Sequence, residues 1–97
     1  MLKAKDILNK TLDLVTGSRS KQNGDIETNH NNIARLWTAY LTNKGIVSKL
    51  TPLDVAIMMS LLKIARSQGG KYNVDDFIDL VGYGSIAGEL AENVNKK

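Results

Sequence analysis

Apolar residues recur at spacings of three and four through most of the chain, and period-two alternation is nearly absent. The pattern predicts helices and no sheet. The first helix runs from about Leu2 to Val15, with Ala4, Ile7, Leu8, Leu12 and Val15 on its inward stripe and Gly17 as its stop. "GSRSKQNGD" reads as a loop, with Asn23-Gly24 as its turn signal. The second helix begins near Asp25 to Thr28 and ends at about Asn43. Its inward stripe is Ile33, Leu36, Trp37, Tyr40 and Leu41, with Asn29 and His30 on the same face one turn earlier.

Thr51 caps the third helix, Pro52 takes its first position, and Asp54 completes a capping-box-like Thr-x-x-Asp. This helix, "PLDVAIMMSLLKIAR", is the most apolar segment and reads as the central one. Ile57, Leu61 and Ile64 are predicted to be almost fully buried, so that Leu61→Ala would cost about 2–5 kcal/mol. Ala56, Ser60, Lys63 and Arg66 form a narrow polar edge. "SQGGKYN" ends the helix. Asn73 then caps a fourth, with Asp76 at its third position, running to about Asn93.

The expected fold is an all-α bundle of about four helices in a single domain, residues 1–97. The N-terminal helix lies within 1–16, a loop within 17–25 and the core helices within 26–95. With 42% apolar residues, a chain of 97 supports one modest core. Helices this long leave apolar surface beyond such a core, so a homo-oligomer is expected.

Composition narrows the chemistry. The chain has no cysteine, which excludes disulfides and cysteine-ligated zinc and fits a cytoplasmic location. A single histidine makes zinc catalysis a poor fit. No apolar run approaches the roughly 20 residues of a membrane span, and "MLKAKDILNK" lacks the features of a signal peptide. No P-loop, dinucleotide fingerprint or Ser-His-Asp spacing is present. The net charge of +3 is partly local, since Lys3, Lys5, Lys10, Arg19 and Lys21 outnumber Asp6 and Asp13 in the first quarter. That balance suits either a solvated basic loop or contact with DNA or nucleotide phosphates.

Three constellations could carry chemistry. In "DDFIDLVGYG", Asp76, Asp79 and Tyr83 share one helix face, and Asp75 and Asp79 are neighbours at i, i+4. The helix dipole accounts for Asp75 and Asp76 in the first turn, but less well for Asp79. The acids are either caps and solvated side chains or ligands of a divalent cation. In the second case Asp79→Asn would leave stability unchanged or improved while abolishing metal or ligand binding. Gly84 and Gly88, one turn apart, form a groove suited to the close approach of another helix, with Gly82 nearby. In "NGDIETNHNN", Asp25 and Glu27 stand at a helix entry, and Glu27 and His30, at i, i+3, would face the acidic helix. The alternative makes Asp25 a cap and His30 a satisfied core-edge histidine. On the third helix Asp54 lies in line with Met58, Leu61 and Ala65 or serves only as a cap. Lys63 and Arg66 are either solvated or placed to hold phosphate oxygens.

"NGDIETNHNNIARLWTAYL", "LTPLDVAIMMSLLKIAR" and "DDFIDLVGYGSIAGEL" resemble a family of small phage-borne proteins of unknown function, over about residues 23–90. A weaker similarity is to all-helical nucleotide pyrophosphohydrolases of the MazG type. These bind magnesium through two acidic pairs on adjacent helices. Here that resemblance would pair Asp76 with Asp79 and Glu27 with His30, an imidazole standing where the family has a carboxylate. It implies a nucleotide ligand, with Glu27, Asp76 and Asp79 as magnesium ligands and catalytic residues. Lys63 and Arg66 would hold phosphate, Trp37 or Tyr83 would pack on the base, and Asp25, Asn29, His30 and Asp54 would complete the ligand site. The alternatives are a non-catalytic binder that sequesters a nucleotide signal or blocks a host defence protein, and a DNA-associated accessory protein. In each case the host-cell cytoplasm is the expected location for a phage product.

Overall fold

The computed structural model describes residues 1–17 and 26–95. Those residues form four helices and no strand: α1 (Ala4–Thr16), α2 (Ile26–Asn43), α3 (Pro52–Gln68) and α4 (Val74–Asn95). The all-helical expectation is met, and the helix ends fall within two or three residues of those read from the sequence.

Side-chain caps explain why the boundaries were legible. The Asp54 N–H donates to Thr51 Oγ1 at 3.2 Å, and the Thr51 N–H returns a bond to Asp54 Oδ2 at 2.9 Å. Each satisfies an N–H that the first helical turn leaves without a partner. At the start of α4 the Asp75 N–H donates to Asn73 Oδ1 at 3.0 Å. At the start of α1 the Lys3 N–H donates to Asp6 Oδ2 at 2.9 Å. Between α3 and α4 the chain reverses through Gly70, whose φ of 80° is open to glycine at little cost.

In space the helices are ordered α1, α4, α3, α2, each packed on the next. The densest part of the core lies between α3 and α4, where Ala56, Ala87 and Leu90 are buried and Leu53 and Ile86 pack against them. Small side chains on both helices let their backbones approach closely. Val55, Ala34 and Ile78 are the other buried hydrophobic side chains among the described residues.

This core differs from the one predicted. Ile57, Leu61 and Ile64 are exposed, whereas Ala56 and Lys63, assigned to the polar edge of α3, are buried. The polar edge faces α4 because Lys63 finds a charged partner there and Ala56 makes room for the neighbouring helix. On α1, Leu8 and Leu12 face outward and Thr11 is the buried residue; on α2, Leu36 and Tyr40 face outward and His30 and Ala34 are buried. Asn29, expected to open the buried stripe of α2, is exposed.

Among the described residues of one chain, a neighbouring helix packs against Gly82, in ordinary van der Waals contact, and none packs against Gly84 or Gly88. A Cβ on Gly82 would lie 3.7 Å from Thr11 Cγ2 and 3.9 Å from Val15 Cγ2, so α1 crosses α4 there. The Thr11 hydroxyl sits at the same crossing, 2.8 Å from the Ile7 carbonyl of its own helix and 3.3 Å from the Ile78 carbonyl of α4. A Cβ on Gly84 or Gly88 would meet nothing within 4 Å. Gly84→Ala is therefore expected to stabilise the chain by up to about 1 kcal/mol through helix propensity alone, read as a raised melting temperature. A lowered one would reveal a partner seated in that groove.

Candidate functional site

Four of the polar side chains singled out in the sequence, Lys63, Arg66, Asp76 and Asp79, meet along the α3–α4 seam. Lys63 and Arg66 are three residues apart on α3, and Asp76 and Asp79 are three apart on α4. Lys63 Nζ lies 3.0 Å from Asp79 Oδ2, and Arg66 Nε lies 3.5 Å from Asp76 Oδ1. One antiparallel register produces both pairs, since three residues forward on α3 correspond to three back on α4. The same register brings Leu53 and Ala56 to Ile86, Ala87 and Leu90 in the core.

The pairing accounts for the run of acids. Like charges at i, i+3 repel along a helix, and here a cation from α3 neutralises each carboxylate. The Asp76 and Asp79 side chains are only 7% and 23% exposed, and that of Lys63 is 11% exposed, so these groups give up most of their hydration and depend on one another. Arg66 is half exposed and keeps part of its guanidinium in solvent. Reading the helices one at a time missed this arrangement. Two bases and two acids at matched spacing, on helices joined by a short reversal, were the signal that could have found it.

A second feature stands one turn further along α4. Tyr83, four residues beyond Asp79, meets His30 of α2 with ring centroids 6.3 Å apart and planes tilted by 57°. His30 is only 6% exposed. Its Nδ1 lies 3.0 Å from the Ile26 carbonyl, which can only accept, so Nδ1 carries a proton. Nε2 is buried and has no hydrogen-bond partner among the described residues. A ring held by a backbone carbonyl on one nitrogen presents the other in a fixed direction.

The remaining predicted site residues are spread out. Glu27 and Asn29 are exposed near the start of α2, and Trp37 is half-buried about two turns beyond His30. The Asp54 carboxylate is engaged in its cap, accepting from both the Thr51 N–H and the Thr51 hydroxyl at 2.9 Å. Asp25 lies outside the described residues, as do Arg19 and Lys21. Among the described residues no group of three or more His, Asp or Glu side chains is arranged to hold a metal ion, so Glu27 does not join Asp76 and Asp79 in one cluster.

Residues 6–91 match the model of a domain of unknown function, DUF6378. The chain belongs to this family. Its relatives include the Gene 55 protein of Mycobacterium phage L5, 41% identical over 80 residues, which are 82% of this chain and 49% of that protein. The Gene 55 protein of Mycobacterium phage D29 is 34% identical over 89 residues, 92% of this chain and 56% of the relative. The expected kinship with phage proteins is thus met, and the chain spans about half the length of these curated relatives. No solved structure matches it. Among the described residues no helix is long and apolar enough to cross a membrane.

Proposed function

We propose that the protein binds a phosphorylated, nucleotide-type ligand at the α3–α4 seam without turning it over. The observation that carries this reading is the exchangeable charge at the mouth of the seam. Arg66 is half exposed while its partner Asp76 is buried, and their contact at 3.5 Å is long for a charge-assisted bond. The guanidinium has donors besides the Nε that faces Asp76, so a phosphate on the solvent side could accept from them while the Arg66–Asp76 contact is kept. Tyr83, half-buried one turn beyond Asp79 on α4, would offer a ring face to the rest of the ligand. A binding role is favoured over turnover because both carboxylates already face cations of the chain and Glu27 stands apart from them.

The second reading, magnesium-dependent pyrophosphohydrolysis, rests on Asp76 and Asp79 sharing one face of α4. Magnesium is commonly held by one or two carboxylates together with substrate phosphates. In that case phosphates drawing Lys63 and Arg66 away would leave Asp76 and Asp79 to hold the ion, which would supply charge neutralisation at the phosphate.

A thermal-shift screen of nucleoside mono-, di- and triphosphates, with and without magnesium, tests both readings. A raised melting temperature that survives chelator, gives no product and is lost in Arg66→Lys is the expected result. Lysine keeps the charge facing Asp76 but not the planar fork that matches phosphate. Pyrophosphate release that requires magnesium would replace binding by hydrolysis, and no shift with any nucleotide would reject the site.

A further inference from the structure

α3 is inverted relative to an ordinary surface helix. Its polar edge faces α4, while Ile57, Met58, Leu61, Leu62 and Ile64, at 47%, 40%, 58%, 46% and 39% exposure, face away from it. A helix on the surface of a globular protein normally directs charged and polar residues outward, and one that is apolar all round is covered on every side. Between Asp54 and Lys63 the only polar side chain is Ser60, and it is half-buried, donating to the Ala56 carbonyl of its own helix at 2.9 Å. We infer that the outer face of α3 is the interface between two copies of this chain, packed antiparallel about a two-fold axis that passes by Leu61.

Three observations select a second copy as the occupant. The first is area. The chain exposes 7106 Å², whereas a compact monomer of this mass exposes roughly 5,500 Å². Its radius of gyration is 14.8 Å, against about 12.5 Å expected for this length. The surplus of surface matches what one subunit buries in an obligate dimer, on the order of 1,000–2,500 Å². The second is charge. No ionisable side chain lies within the stripe from Ile57 to Ala65 except Lys63, which is turned inward to Asp79. The same patch can therefore meet itself without like-charge contact, as a two-fold interface requires.

The third is register. In an antiparallel pair centred on Leu61, residues equidistant from it on the two copies stand opposite each other. Leu61 then meets its own copy, and Ile57 and Ala65, one turn on either side of it, approach each other across the seam, large against small. At the ends of the stripe Asp54 stands opposite Gln68, an acceptor facing an amide donor. The stripe is self-complementary in size and polarity about its own midpoint, which a surface shaped for an unrelated protein need not be.

The chain contains no cysteine, so a single introduced thiol reports one contact without background. Light scattering on the wild-type chain at micromolar concentration is expected to give twice the 10.6 kDa of one copy. Leu61→Glu, which sets two carboxylates side by side on the axis, is expected to return the mass to one copy with helical circular dichroism unchanged. Under mild oxidation Leu61→Cys is expected to cross-link nearly quantitatively, and Glu89→Cys, on exposed α4 surface, to stay uncross-linked. Should Leu61→Glu fail to fold, the cysteine pair decides alone. A wild-type monomer would overturn the proposal and leave the stripe to another protein or to a further segment such as the additional length of the relatives. So would a dimer in which Leu61→Cys links no better than Glu89→Cys.

Discussion

Replacing Lys63 by alanine is expected to destabilise the folded chain by about 3–5 kcal/mol, a fall in melting temperature of at least about 12 °C for a domain of this size. The side chain is almost wholly withdrawn from solvent, and its ammonium is 3.0 Å from Asp79 Oδ2. Removing it strands a largely buried carboxylate beside Asp76, whose own partner Arg66 is half exposed. Lys63→Met together with Asp79→Leu should recover most of the loss, because replacing both members of a buried pair by apolar groups of similar size is often neutral. Urea melts of the single and double variants measure both quantities. A loss below about 1 kcal/mol for Lys63→Ala would place the pair among solvent-screened surface bridges instead. Asp79→Asn should also destabilise, with the opposite sign to the one a helix read in isolation implies, because on α4 alone Asp79 meets only like charge.

Leu90→Ala should cost about 2–5 kcal/mol. At 4% exposure, Leu90 is the largest fully apolar member of the cluster it forms with Ala56 and Ala87, and two alanine partners cannot collapse into the space it leaves. Chemical denaturation under conditions that keep the chain monomeric gives the value. Leu61→Ala under the same conditions should cost less than 1 kcal/mol, since Leu61 is already 58% exposed. Equal losses at the two positions would mean that the monomer buries the other face of α3.

That contrast marks how far the sequence could be read. Local signals were reliable: Thr51 with Asp54 and Asn73 with Asp75 fix helix starts through contacts spanning at most three residues, and α1 stops at Gly17 as its sequence signals. Which face of each helix turns inward was not legible from hydrophobicity. On α3 the decisive partner, Asp79, is sixteen residues from Lys63, and the ion pair with the small Ala56 outweighs the apolar face for contact with α4. The acids of α4 and the bases of α3 were each identified as candidates, but their union depends on helix register. The position of His30 against Tyr83 depends on how α2 crosses toward α4, again a tertiary matter. The packing of α1 at Gly82 has the same origin, because Thr11, a polar residue on an otherwise apolar stripe, is the side chain that fits there.

The spatial order α1, α4, α3, α2 has a consequence for the route by which the chain folds. α3 and α4 are sequence neighbours joined by a short reversal at Gly70, so their hairpin closes at little entropic cost and brings the Lys63–Asp79 pair with it. α1 docks on the far end of the sequence, with Thr11 reaching Ile78 across 67 positions. Closing a loop of that length costs more chain entropy than closing the α3–α4 reversal. α1 leaves a ribosome ahead of the other three helices, yet its seat on α4 exists only once α4 has emerged, and until then Thr11 lacks the Ile78 carbonyl and the Gly82 surface it packs on.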